Sequence, residues 1–329
     1  MARAWHLKSR PEAMPAPENF ELREFEQTQM GHGMIRVANQ WLSVDPYMRG
    51  RMRDVKSYVP PFAIDAPLEG GAIGEVVESN AEGFAVGDMV QHGAGWRDEA
   101  VVNAAEAQKL PDLGIPVQSF LGFLGMPGMT AYFGLLDVAS AKEGDIVFVS
   151  GAAGAVGSTV IQIAKAKGMT AIGSAGGQEK CDWVKSLGAD AVIDYKAEGE
   201  LMPKLMKAAP NGIDVYFDNV GGEHLDAAFA VANPGARFAE CGMISGYNST
   251  EPMEFRYIMN IIGKGLNVRG FIVTQFMDRM GEFHADMGAM LQAGKLTSQE
   301  TVHEGLESQV DAFIGLFTGG NTGKMLVKV

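Results

Sequence analysis

From residue 146 onward, short β-branched apolar runs alternate with segments of helical spacing. Ile146–Val149 reads as a strand and 150–157 as a turn of small residues. Val156, Val160, Ile163 and Ala164 then fall on one helical face, with Gly168 as the stop. A second strand is expected at 170–173, and others at Ala191–Asp194, 214–218, 236–241 and 267–273. Helices are expected at 179–187, Leu201–Ala208 and 224–230. This alternation predicts an α/β domain with an open parallel sheet and helices on both faces.

Residues 1–118 follow another pattern. Short β-rich pieces are punctuated by Gly31-His32-Gly33, Gly70-Gly71, Glu82-Gly83 and Ala94-Gly95-Trp96, which suggests an antiparallel β domain. The tail returns to a helix at 310–317 and a closing strand at 324–329. Two uncharged stretches, 115–136 and 146–164, approach membrane-spanning length. Gly122, Gly125, Pro127 and Gly128 break the first, and the glycine turn breaks the second, so buried strands and helices are expected rather than a membrane span.

Composition narrows the function classes. A chain of 329 residues suggests two domains. A net charge of −13 disfavours nucleic acid or an anionic membrane as partner. Cys181 and Cys241 are too few for a disulfide framework, and the N-terminal residues lack a signal-like apolar segment. A cytoplasmic protein is expected.

The turn carries the first candidate chemistry. Gly154 and Gly157 allow close approach of backbone and helix N-terminus to a pyrophosphate, whose charge the N–H groups favour. The fingerprint is imperfect, reading A-x-G-x-x-G with Ala152 in the first glycine position. An NAD site places an acid about 20 residues past the glycines, at the end of the second strand. Here that end reads Ser174-Ala175-Gly176-Gly177, and Lys180 follows, which favours NADPH. Glu179 is a complication, and the alternative for Lys180 is a solvated helix start.

Longer strings narrow the reading further. They are V-D-P-Y-M-R-G-R-M (44–52), L-G-M-P-G-M-T-A-Y (124–132), F-D-N-V-G-G (217–222), C-G-M-I-S-G-Y-N (241–248), G-F-I-V (270–273) and G-N-T-G-K (320–324). Together with the domain order, they resemble the zinc-free medium-chain dehydrogenases/reductases of the prostaglandin/leukotriene reductase branch. The resemblance covers essentially the whole chain. It implies a GroES-like catalytic domain at 1–118, a Rossmann-type doubly wound domain at 119–289 and a return to the catalytic domain at 290–329. Zinc-dependent relatives carry a cysteine and a Gly-His-Glu motif where this chain has Leu42 and Gly70-Gly71. Its six histidines show no paired ligand spacing, so no metal is expected.

The resemblance also implies an activity. NADPH would deliver hydride to the β-carbon of an α,β-unsaturated ketone or aldehyde, curcumin-like or alkenal-like, and charge would move to the carbonyl oxygen. Tyr247 is the candidate assisting hydroxyl; its alternative is a ribose-packing aromatic. Gly154, Ala155, Val156 and Gly157 would line the pyrophosphate, and Lys180 and Tyr195 would hold the adenosine end. Asn219, Cys241, Gly242, Met243, Ile244, Ser245, Gly246 and Tyr247 would follow the cofactor along the sheet edge. Phe271, Ile272 and Val273 would surround the nicotinamide, and Asn321 would reach it from the tail. The hydrophobic members have core packing as their alternative, and Phe271–Val273 are expected to be buried strand in either case. Tyr58, Met126 and Met253 are candidate substrate walls, whereas Arg49 is expected to hold a buried turn. A homodimer through 265–273 is implied. A quinone reductase and a non-catalytic NADPH-binding protein are the alternative functions.

Overall fold

The computed structural model describes residues 1–26 and 28–329. They divide into two compact units, Met1–Leu121 with Glu300–Val329, and Gly122–Gln299.

In the first unit, β1 (Ala2–Leu7) pairs with β2 (Phe20–Phe25). Strand β3 (Met34–Ser43) is followed by a single turn, α1 (Met48–Arg51). Strands β4 (Ala72–Ser79), β5 (Met89–His92), β6 (Glu99–Asn103) and β7 (Gln108–Lys109) complete an antiparallel arrangement around β3. Alternation along β3 sends Ile35 and Val37 inward onto Val76, Val90, Ala100 and Val102. Arg36, on the other side, pairs with Glu78 and Glu99. Arg49 is fully buried and donates to the carbonyls of Pro11 and Ala13, so it does hold a buried turn.

The second unit begins with α2 (Met126–Phe133), then alternates: β8 (Ile146–Val149), α3 (Ala155–Ala166), β9 (Thr170–Ala175), α4 (Gln178–Ser186) and β10 (Ala191–Asp194). It continues through α5 (Leu201–Ala208), β11 (Ile213–Asp218), α6 (Gly222–Val231), β12 (Ala232–Glu240), the short α7 (Asn260–Gly263), β13 (Asn267–Gly270) and α8 (Met280–Gln292). The six strands are parallel, in the order β10-β9-β8-β11-β12-β13. This is the Rossmann order, and it reverses direction between β8 and β11, where such sheets open a crevice for ligands. The expected doubly wound sheet is present.

Local chemistry explains the helix ends. Gly168 takes φ +80° past α3, while its N–H bonds Lys165 O and the Met169 N–H bonds Ala164 O. That pair of bonds satisfies the last carbonyls of the helix. Leu201 and Leu205, one turn apart on α5, are buried against Phe148, Ile193 and Leu225.

One expectation is corrected, and two helices are added to the expected elements. Residues 115–136 contain a helix, because Met126 and Pro127 occupy its first turn, where proline loses no hydrogen bond. Helix α8, which buries Phe283, Met287 and Met290, was not anticipated. The strand expected over 267–273 stops at Gly270. Its neighbour β12 ends at Glu240, and the N–H groups of Cys241 and Gly242 both turn to Asp218 O, so nothing remains for residues beyond 270 to pair with. Phe271 is still buried, edge-on to Phe217, but Ile272 and Val273 are only partly buried and lead into a 3₁₀ segment.

The chain then returns to the first unit. Strand β14 (Glu300–Glu304), helix α9 (Gln309–Thr318) and strand β15 (Lys324–Lys328) follow, with β15 antiparallel to β3. Lys324, from the G-N-T-G-K string, is buried and donates to Val44 O and Asp45 Oδ1. That lysine anchors the returning strand.

Candidate active site

The glycine turn lies between β8 and α3. Gly151 adopts φ +59°, which supplies the tight turn. Ala152 is buried beside Gly173 of β9, where a Cβ on residue 173 would stand 2.8 Å from the Ala152 methyl. The imperfect fingerprint is thus physically consistent: the neighbouring strand gives up its side chain to make room for Ala152. A Cβ on Gly157 would collide with Gly151 O and lie 2.8 Å from Ala152 Cα. Glycine at 157 therefore lets α3 start against the turn. Gly154, Ala155, Val156 and Gly157 form its amino end, and the N–H groups of a helix's first turn favour a phosphate.

At the next strand end, Gly176 is overlain by Tyr195 and Lys196. A Cβ there would lie 2.7 Å from Tyr195 Oη and 3.0 Å from Lys196 Cε. Lys180 stands in the first turn of α4, and burial followed by the nearby Lys196 ammonium lowers its pKa from the usual lysine range. Glu179 opposes that shift. Asp194, the one acid at the end of β10, is occupied by the N–H groups of Gly177 and Lys196. Those bonds hold its pKa below the ordinary carboxylate range. Two ammoniums converge with an aromatic ring, and the local acid is engaged by backbone. Lys196, which no motif singles out, belongs with Lys180 and Tyr195.

The central edge is a hydrogen-bonded wall. Asn219 N–H donates to Ser150 Oγ and its Nδ2 to Ser150 O, joining the ends of β8 and β11. Ile244 N–H donates to Asn219 O, and both Ser245 N–H and Ser245 Oγ donate to Val220 O. Tyr247 folds back, so a Cβ on Gly242 would sit 3.0 Å from its hydroxyl. Met253 packs on Gly246. A cavity of about 320 Å³ opens here, walled by Cys241, Gly242, Met243, Phe271 and Ile272 together with Glu240, Gly270 and Gln275. Burial pushes the Cys241 thiol up to about 12, so it stays protonated and is no nucleophile.

The remaining candidates are placed within their own units. Val273 is absent from the cavity lining, and Met126 begins α2, partly exposed. Tyr58, which is exposed, and Asn321, which donates to Gly323 O, belong to the first unit. Among the described residues, no three His, Cys, Asp or Glu side chains converge as a metal site requires.

Residues 3–110 match the family described as the N-terminal domain of oxidoreductase, and residues 155–292 match the zinc-binding dehydrogenase family. Over 327 residues the chain is 45% identical to the putative NADP-dependent oxidoreductase YfmJ of Bacillus subtilis, covering 98% of this chain and 96% of that protein. The chain is a medium-chain dehydrogenase/reductase. This reductase is also 41% identical to the NADPH-dependent curcumin reductase of Escherichia coli, over 99% of its own length and 96% of that protein. Among solved structures it resembles CurA from Vibrio vulnificus in complex with NADPH, with a TM-score of 0.94, 43% identity and 99% of each chain covered. The reductase therefore has the expected pairing of a Rossmann-type unit with a GroES-like β unit.

Proposed function

We propose that this reductase uses NADPH to reduce the C=C bond of α,β-unsaturated ketones and aldehydes, without zinc. The observation that carries the cofactor choice is the convergence of Lys180, Lys196 and Tyr195 at the β9 edge, where an NAD site would present a carboxylate. Whole-length similarity to an NADPH-dependent curcumin reductase supports the substrate class. The glycine turn fits the pyrophosphate, because Gly157 lets the amino end of α3 start against the turn and Gly154 carries no side chain there.

Bound NADPH supplies a hydride for the β-carbon of the enone. The chain's own residues do the rest. Lys180 and Lys196 neutralise the 2′-phosphate, and the Asn219 and Cys241–Tyr247 wall orients the nicotinamide half. Phe271 and Ile272 exclude water from one side, and Val273 follows them in sequence. Met126 and Met253 offer apolar surface to a flat substrate. The Tyr247 hydroxyl donates a hydrogen bond toward the carbonyl oxygen as charge gathers there, and a proton from solvent or a tyrosine then completes the α-carbon. A positioned acid contributes ~10²–10⁴-fold, and a neutral phenol belongs at or below the lower end. Tyr247→Phe is therefore expected to lower kcat by roughly ten- to a hundred-fold at constant NADPH KM. An unchanged kcat would leave Tyr247 as ribose packing only.

Zinc independence rests on donor chemistry: Leu42, Gly70 and Gly71 offer no ligand atom where metal-dependent relatives carry them. Two free cysteines suit a reducing, cytoplasmic setting. No helix among the described residues is long and apolar enough to cross a membrane. The homodimer forms through β13, an edge strand whose four residues are all exposed, next to exposed Met259 and Ile262. Val268→Lys is expected to shift the light-scattering mass from dimer to monomer; a monomeric wild type would refute the interface.

The decisive experiment follows NADPH absorbance with enones, alkenals, quinones and saturated ketones, before and after chelation, with products checked by mass. Saturated ketone or aldehyde products, a preference for NADPH over NADH and full activity after chelation are expected. Quinones outperforming enones, or no turnover despite NADPH binding, would overturn the reading.

A further inference from the structure

The ends of β11 and β12 hold two acids that the cofactor reading does not use. Asp218 and Glu240 are register partners on adjacent parallel strands, so their side chains stand together on one face of the sheet. Asp218 is fully buried. Its Oδ1 accepts from Ser150 Oγ at 2.9 Å, Tyr216 Oη at 2.7 Å, and the N–H groups of Val220 and Gly221 at 2.8 Å each. Among the described residues, Asp218 Oδ2 and both Glu240 carboxyl oxygens are buried and receive no donor. An ionised carboxylate only accepts, so two of them cannot satisfy each other. A proton on Glu240 resolves the conflict: one oxygen becomes a donor to Asp218 Oδ2, and the negative charge stays on the acid that already has four donors.

We propose that Asp218 and Glu240 share one proton, and that this proton positions the turn Asn219–Gly221, from which the cofactor wall hangs. The turn is tied to the pair through Asp218 Oδ1 and through Ser150, which also receives Asn219 N–H. Asn219 O and Val220 O in turn hold Ile244 and Ser245. Glu240 itself walls the cavity beside Cys241 and Phe271. A second negative charge at Glu240 would repel Asp218 and strain every bond that Oδ1 accepts.

Burial shifts the titratable groups at and around the pair. Burial, and then the charge of Asp218, push Glu240 up to about 9. Tyr216, on β11, is raised well above its usual value by burial and by Asp218, and Cys241 is pushed up to about 12. His224, on α6, is lowered by burial, against which the charges of Asp218 and then Glu223 act. On β13, Gly270 lies opposite Glu240, and Arg269, one residue earlier, points to the other face.

The effect on NADPH rests on the cofactor reading above, whereas the shared proton does not, so the two are measured separately. The variant is Glu240→Gln, whose amide still donates but cannot ionise. The first readout is the infrared carbonyl stretch of a protonated carboxyl at neutral pH, identified in the wild type by its shift in deuterium oxide and expected to be lost in E240Q. Thermal unfolding is the second. The folded pKa of Glu240 lies above its unfolded value, so its contribution is lost as pH rises through about 9. The Tm of the wild type should therefore fall relative to E240Q up to that pH and then run parallel.

The third readout is NADPH Kd by fluorescence. One pH unit above the Glu240 value, only about a tenth of molecules keep the proton, so the wild type should bind roughly ten-fold more weakly relative to E240Q than at neutral pH. No carboxyl band and parallel Tm profiles throughout would overturn the shared proton. A band and a widening Tm gap with a constant Kd ratio would overturn the positioning role. Wild type that binds no NADPH at any pH would sink the cofactor reading and the positioning role with it, while the first two readouts still decide the proton.

Discussion

Replacing Lys180 by alanine is expected to raise the NADPH KM by roughly ten-fold or more, since a hydrogen bond to a charged group contributes ~1.5–3 kcal/mol. The NADH KM should stay within about two-fold, because NADH lacks the phosphate that the lysine meets. Lys196→Ala should act in the same direction, since its ammonium is the neighbour that depresses the Lys180 pKa. The double variant should exceed the product of the two single effects. Each ammonium in the free protein repels the other, so removing one relieves the second. A bound phosphate reverses that repulsion and lifts Lys180 back toward its usual value, so NADPH binding should take up protons at alkaline pH. Steady-state kinetics with both cofactors test the assignment, and equal losses for NADPH and NADH would refute it.

Gly157→Ala should have the larger effect on the protein as a whole. The added methyl meets Gly151 O and Ala152 Cα, which are backbone atoms of a turn that has no slack. Overpacking of this kind costs ~1–3 kcal/mol, and relief would require α3 to move away from the turn. That movement separates the helix N-terminus from the Gly151 turn, so NADPH affinity should drop by more than about ten-fold. Gly154→Ala is the contrast. Its methyl would find only Gly151 O, at an ordinary 3.4 Å, so the fold should keep its Tm while the methyl intrudes on the phosphate space. Thermal unfolding together with NADPH titration separates the two effects. A Gly157→Ala protein as stable as the wild type would mean that the turn is looser than its geometry indicates.

Much of the second unit was legible because its signals are local. The β-branched run at β8, the Leu201 and Leu205 spacing of α5, and Gly168 past α3 each act within a few residues of themselves. Local signals also misled where one residue type serves two ends. Pro127 looked like a breaker and is part of a helix start. Phe283, Met287 and Met290 carry a helical spacing that was overlooked in a methionine-rich tail. The run 267–273 looked like one strand, but its pairing is decided by where β12 stops.

The sequence by itself determined the alternation of strands and helices, the glycine turn, the absence of an acid where NAD would need one, and the family. These depend on residue type and short spacing, which the chain carries in any conformation. Only the tertiary structure decided that Gly173 makes room for Ala152, that Lys196 converges with Lys180, and that Tyr247 folds over Gly242. Only it set Asp218 beside Glu240, 22 residues apart in sequence but opposite each other in register. Each of these depends on which strand lies next to which. Strand order is fixed by burying both faces of the whole sheet at once, and no short stretch of sequence records it.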